Sequence, residues 1–135
     1  MEARQLSFIP AIHEINDKAV QKAVIEELRK YRALKVKIQN KHEQQKQGVS
    51  LFPSLRSANG IKEIEKEDEL RVKQMERAIQ VSLDSAERLI IEKKYLSPDE
   101  INDIAIYLEL GIKKGKFYEK KRSAIFRLAT ALGII

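Results

Sequence analysis

Val20, Val24, Leu28, Tyr31, Leu34 and Ile38 recur at steps of three and four residues, and Val72, Met75, Ile79, Leu83, Ala86 and Ile90 repeat the pattern. Such spacing returns every apolar side chain to one side of a helix of about 3.6 residues per turn, so both segments are predicted to be long amphipathic helices. The first is expected to start at Asn16 or Asp17, either of which can cap it, and to end near Gln47 and Gly48. The second is expected from near Asp68 to Tyr95. Stripes this narrow require a partner helix, either in the same chain or in a second copy. With five glycines, three prolines and 34% charged residues in 135, the composition also favours helices, and the fold class predicted is all-α.

Three parts are expected along the chain. Residues 1–60 hold the first helix and a docking loop, 61–96 a connecting long helix, and 97–135 a helix-turn-helix. Residues 1–15, with Leu6, Phe8, Ile9, Ile12 and Ile15 around Pro10, show no period and are expected to pack on the body of the protein or on another copy. Val49 to Gly60 has loop chemistry, but Leu51, Phe52 and Leu55 are apolar enough to predict docking on a helix. The five acids between Glu63 and Glu69 alternate with lysines and suit a helix start better than a cation cage.

The absence of cysteine removes disulfides and thiolate sites, and no apolar run approaches the roughly 20 residues of a membrane span. A cytoplasmic protein that makes no use of the membrane is expected. His13 and His42 are isolated, no glycine-rich phosphate loop follows a strand, and no nucleophile stands with a base. Neither a metal site nor a cofactor nor enzymatic activity is expected.

Ser97-Pro98-Asp99-Glu100 has the form of a capping box with proline at the first helical position, which predicts a helix starting there with Ile101, Ile104, Ala105 and Leu108 facing inward. Gly111 suits the left-handed turn after it, and a last helix should bury Phe117, Ala124, Ile125, Leu128 and Leu132 and end at Gly133. Two helices joined by a short glycine-containing turn form the pattern of a helix-turn-helix, whose second helix enters the major groove of DNA.

Charge points the same way. Gly111 to Ile135 carries seven lysines and arginines against Glu119 alone, whereas the preceding residues hold nineteen of each sign, so the net +6 is entirely C-terminal. Most of these cations crowd the first half of the last helix, where the helix dipole disfavours them, so local helix stability does not explain them. Double-stranded DNA is the expected partner. Lys116, Tyr118, Glu119 and Arg122 are the candidates for base readout, and Lys93, Lys94, Lys113, Lys114, Lys120 and Lys121 for phosphate contact. Lys121 falls on the apolar stripe, where it can snorkel outward instead. The bland alternative is a solvated basic face or a protein-contact surface.

Leu51-Phe52-Pro53-Ser54-Leu55, Gln74-Met75-Glu76-Arg77-Ala78, Ile90-Ile91-Glu92-Lys93-Lys94-Tyr95-Leu96, and Gly115-Lys116-Phe117-Tyr118-Glu119-Lys120-Lys121-Arg122 through Ala131-Leu132-Gly133 together resemble the ArpU family of phage transcriptional regulators, from about Tyr31 onward. The C-terminal part of that family looks like region 4 of bacterial sigma-70 factors. The resemblance implies a phage or prophage regulator of late, packaging or lysis genes, acting at the nucleoid of a bacterial host, bound near promoters through residues 115–132 and in contact with RNA polymerase. Lys120 and Lys121 depart from it, because a sigma region 4 continues an apolar stripe there. A homodimer through the N-terminal helices is the expected assembly, since helix-turn-helix proteins commonly pair on half-sites about one DNA turn apart. Two rival readings are a DNA-packaging protein of small-terminase type and a module that docks on RNA polymerase.

Overall fold

The computed structural model describes residues 16–56 and 58–135, and all regular structure among them is helical. The expectations for residues 1–15, His13 included, lie outside the described residues. Helix α1 spans Asp17–Gln47 over 31 residues. Asn16 caps it by accepting from the Lys18 amide at 2.8 Å, and Gly48, at φ 68°, closes it in the left-handed conformation that a side chain resists. Both boundaries are those the sequence predicts.

Helix α2, Ala58–Ser82, returns antiparallel to α1. Lys41 with Glu65, Lys37 with Asp68 (2.6 Å) and Tyr31 with Glu76 (3.2 Å) mark the rungs, numbers falling on α1 as they rise on α2. The charged run Ile61 to Glu69 is therefore helix interior, and its acids Glu65, Asp68 and Glu69 meet Lys41, Lys37 and His42 across the pair. The single helix expected from Asp68 to Tyr95 is thus corrected at both ends. It starts ten residues earlier, at Ala58, and it breaks after Ser82.

The break is a capping box. The Asp84 carboxylate accepts from the Glu87 amide and the Glu87 carboxylate accepts from the Asp84 amide, both at 2.8 Å, which starts helix α3 at Ser85–Ile91. A π-helical turn, Glu92–Leu96, continues it. The expected helix start at Ser97 is not there, because the Ser97 hydroxyl takes the Asp99 amide (3.3 Å) in a local turn. Asn102 caps instead, accepting from the Ala105 amide at 2.8 Å, and helix α4 is the short Asp103–Leu110. Gly111 at φ 69° turns the chain, and helix α5 runs Lys114–Ala131.

One core joins α1, α2 and α5. Val20, Val24, Leu28 and Tyr31 pack with Met75, Ala78, Ile79, Leu83, Ile91, Ala124, Ile125, Leu128 and Ala129. Helix α5 touches all four other helices, so the C-terminal segment is a central strut of the fold. Its predicted inner face is the observed one, with Leu132 half-buried at its end. The predicted face of α4 is observed only at Ile101, which is half-buried: Ile106 is fully buried, while Ile104, Ala105 and Leu108 are exposed. Beyond Tyr31 on α1 and before Met75 on α2 no described residue is fully buried, so among the described residues these halves form a two-helix arm with no third layer on it. At its tip Leu51, Phe52 and Leu55 stand in solvent, against the expectation that they dock.

Candidate nucleic-acid interface

Phe117 fixes the angle between α4 and α5. Its side chain is fully buried with Ile90 of α3 and Ile106 of α4, and its ring lies 5.6 Å from that of Tyr107 and 5.2 Å, edge-on, from that of Tyr118. Bonds from the Gly111 amide to the Leu108 carbonyl (3.2 Å) and from the Ile112 amide to the Tyr107 carbonyl (3.1 Å) close the turn, which is only Gly111 to Lys113 long. The first turn of α5 thus leaves the body in one direction. Lys113, at the cap position, offers no side-chain hydrogen bond to the helix, so the amides of that turn stay open.

The structure sorts the candidate cations into three groups. Lys113, Lys114 and Lys116 are exposed around that open end, and among the described residues the first two have no carboxylate within 4.0 Å. Lys116 meets only Glu119, at 3.6 Å on its own helix. Lys94 and Lys121 converge from the π-helical turn and from α5 on Asp103 at the start of α4, at 3.1 and 3.2 Å, and both are largely covered. Lys121 also lies 5.9 Å above the Phe117 and Tyr118 rings. Its predicted position on the apolar stripe is observed, and the side chain ends in a three-helix clamp.

Between these extremes Lys93 pairs with Glu109 (3.0 Å), Lys120 with Asp84 (2.8 Å) and Arg122 with Asp17 (2.9 Å). Arg122 reaches Asp17 through both Nε and a terminal nitrogen while its guanidinium lies 4.6 Å from the Phe126 ring centroid. Tyr118 and Glu119 are exposed beside it. The segregation of charge seen in sequence is therefore partly undone in space. Asp17, Asp84, Glu87 and Asp103, each from an earlier segment, fold onto four of the seven C-terminal cations. What remains unmatched is concentrated at Lys113 and Lys114.

Two acids of this network, Asp84 and Asp103, titrate low. Asp84 is held below the ordinary aspartate value by the Glu87 amide first and the Lys120 ammonium second. Burial works against the Asp103 carboxylate, but the Lys94 and Lys121 ammoniums outweigh it and lower that pKa too. Tyr95 is pushed up to about 12 by burial and then by the negative charge of Asp103, so its phenol stays neutral. A carboxylate whose folded pKa is depressed stabilises the fold above the unfolded value and loses that contribution as pH falls through the folded one. Thermal melts should therefore stay level near neutrality and drop below about pH 4, and Asp103→Asn should flatten that drop. An unchanged acid limb in that variant would remove Asp103 from the account.

Sequence reasoning missed the acids of this site, above all Glu87, which is 1% exposed and accepts from Arg127 (2.9 Å) and Ser123 (2.7 Å) on α5. The string Asp84-Ser85-Ala86-Glu87 was a signal that could have found it. No helix among the described residues is long and apolar enough to cross a membrane. Comparison with protein-family models, curated proteins and solved structures finds no match to this chain.

Proposed function

We propose that the chain is a sequence-specific duplex-DNA-binding regulator of transcription, of the phage or prophage kind its sequence resembles, acting at the nucleoid of a bacterial host. In this reading α4, the Gly111 turn and α5 form the helix-turn-helix, and α5 is the recognition helix. One observation carries it: the open N-terminus of α5 is ringed by Lys113, Lys114 and Lys116, a placement the helix dipole opposes unless an anion completes it. A backbone phosphate supplies that anion to the free amides and to the ammoniums together. Tyr118, Glu119 and Arg122 follow along the exposed face and are assigned to base edges. Arg122 must release Asp17 to do so, and since both are well exposed the exchange is easy. Lys94 and Lys121 hold α4 to α5 in this reading, while Lys93 and Lys120 flank the contact.

Binding of labelled duplexes across a salt series tests this. Log affinity should fall with log salt, with a slope of about 0.9 for each phosphate contact, and joint replacement of Lys113 and Lys114 by alanine should reduce the slope by about two contacts on every sequence. Arg122→Ala or Lys116→Ala should instead relax preference at one base pair, at about 1–3 kcal/mol. Salt-independent binding, or none, would overturn the proposal.

A second reading, docking on RNA polymerase, is favoured by Ile104 and Leu108, which form an exposed apolar strip on α4 beside the recognition helix. The two readings are compatible. Ile104→Lys would then abolish activation of a reporter while leaving DNA affinity intact.

A further inference from the structure

The tip of the α1–α2 arm carries a contradiction that solvent alone does not resolve. Val49 to Leu55 is seven residues without a charge, and Leu51, Phe52 and Leu55 on it are 62%, 76% and 105% exposed. This is not a slack loop end. The Val49 amide bonds the Gln44 carbonyl at 3.0 Å, the Leu51 amide bonds the Gln44 side chain at 2.9 Å, and the Arg56 amide bonds the Ser54 hydroxyl at 3.1 Å. The apolar side chains are held outward on a tethered frame, which removes much of the ordering cost of burying them elsewhere.

Immediately beside them lies a groove of about 610 Å³ between α1 and the start of α2, with Ala33, Val36, Ile61 and Ile64 as its apolar walls and Phe52 at its edge. Leu51 and Leu55 do not line that groove and stand free of it, so each copy offers both an apolar knob and an apolar slot at the same end of the arm, as a two-fold contact requires. The rim agrees. Lys62, Glu63, Lys66 and Glu67 are exposed on α2 next to it and, with Arg56 on the loop, have no ion-pair partner among the described residues. A rim of alternating sign attracts its own copy, whereas a rim of one sign would repel it. Of the stripe of α1 that the sequence offers as an interface, Val20, Val24, Leu28 and Tyr31 are already buried in the chain's own core, and only Leu34 and Ile38, both half-buried, lie beyond it.

We propose that the tip of the arm is a self-association surface, in which Leu51 and Leu55 of one copy enter the Val36–Ile61–Ile64 groove of a second. The pairing is a property of the arm and holds whether or not α5 binds DNA. A two-fold arm contact would set the spacing of two α5 helices, so it also offers a route to paired half-sites.

Light scattering on the full chain at about 100 µM, where a contact with a Kd of about 10 µM or tighter is mostly formed, should give the mass of a dimer. Phe52→Asp and Leu55→Asp, both at exposed positions and with unchanged helical signal, should each weaken the dimer about 10- to 100-fold. Because the chain has no cysteine, location can be read directly. Mixing a Leu55→Cys protein with a Val36→Cys protein under mild oxidation should link the two. A monomer at that concentration, a dimer indifferent to Phe52→Asp and Leu55→Asp, or a dimer in which the mixed pair never links would each overturn the proposal.

Discussion

Phe117→Ala is expected to lower the unfolding free energy by about 3–5 kcal/mol, among the largest effects of any single truncation in this chain. The side chain is fully buried and is one of three buried members of its cluster, with Ile90 and Ile106, so its removal leaves a cavity that few neighbours can close. Helix α4 has only eight residues, far below the length at which a helix persists by itself, and its place depends on that cluster and on the Asp103 clamp. Loss of Phe117 should therefore act unevenly. Amide exchange in α4 and the Gly111 turn should rise to the limit set by local opening, while α1 and the rest of the main core keep protection near the global value. Chemical denaturation with exchange measured on the same samples checks both parts. A uniform loss of protection would mean that the two clusters unfold as one unit.

The distinction between these clusters also explains which features could be read from the chain. The ends of α1 were legible because Asn16 and Gly48 are local devices that act within a few residues of themselves. The inner face of α5 was legible because its apolar residues lie on one side only. Helix α4 lacks that asymmetry. Ile104, Ala105, Ile106, Tyr107, Leu108 and Leu110 leave almost every direction apolar, and a spacing of three and four fits Ile101, Ile104 and Leu108 as well as Asp103, Ile106 and Leu110. The contact with Phe117 and Ile90 decides, burying Ile106 and packing Leu110 from the second set and Ile101 from the first against it, while Ile104 and Leu108 stay outside.

Ser97 and Asn102 competed as caps for the same helix, and both have the extended backbone of an N-cap, ψ 142° and 160°. They differ in that the Ser97 hydroxyl accepts from the Asp99 amide in a local turn, whereas the Asn102 side chain accepts from the Ala105 amide of the helix itself. The break at Asp84 was hidden by the stripe running through it, since Leu83 and Ile90 keep helical spacing across two separate helices. For the candidate interface, sequence located the cations but could not show their partners. Asp17 lies 105 residues from Arg122, and no local pattern announces such a contact.

Glu87→Ala is expected to destabilise the fold by about 3 kcal/mol, for reasons that separate a buried acid from its exposed partner. Its carboxylate is sealed, with one oxygen accepting from the Asp84 amide at 2.8 Å and from Arg127 at 2.9 Å and the other accepting from Ser123 at 2.7 Å. Truncation removes half of the capping box that starts α3 and leaves the Ser123 hydroxyl, part-buried, without its acceptor. Arg127 is about half exposed, so water takes over much of its role when the pair is broken from that side. Arg127→Ala should consequently lose only about 1–2 kcal/mol, because two neutral donors still serve the carboxylate. The two losses should not add in the double variant, and the shortfall measures the ion pair within the larger network. Equal losses from Glu87→Ala and Arg127→Ala would show that charge pairing across α3 and α5, instead of satisfied burial, holds α5 against the body.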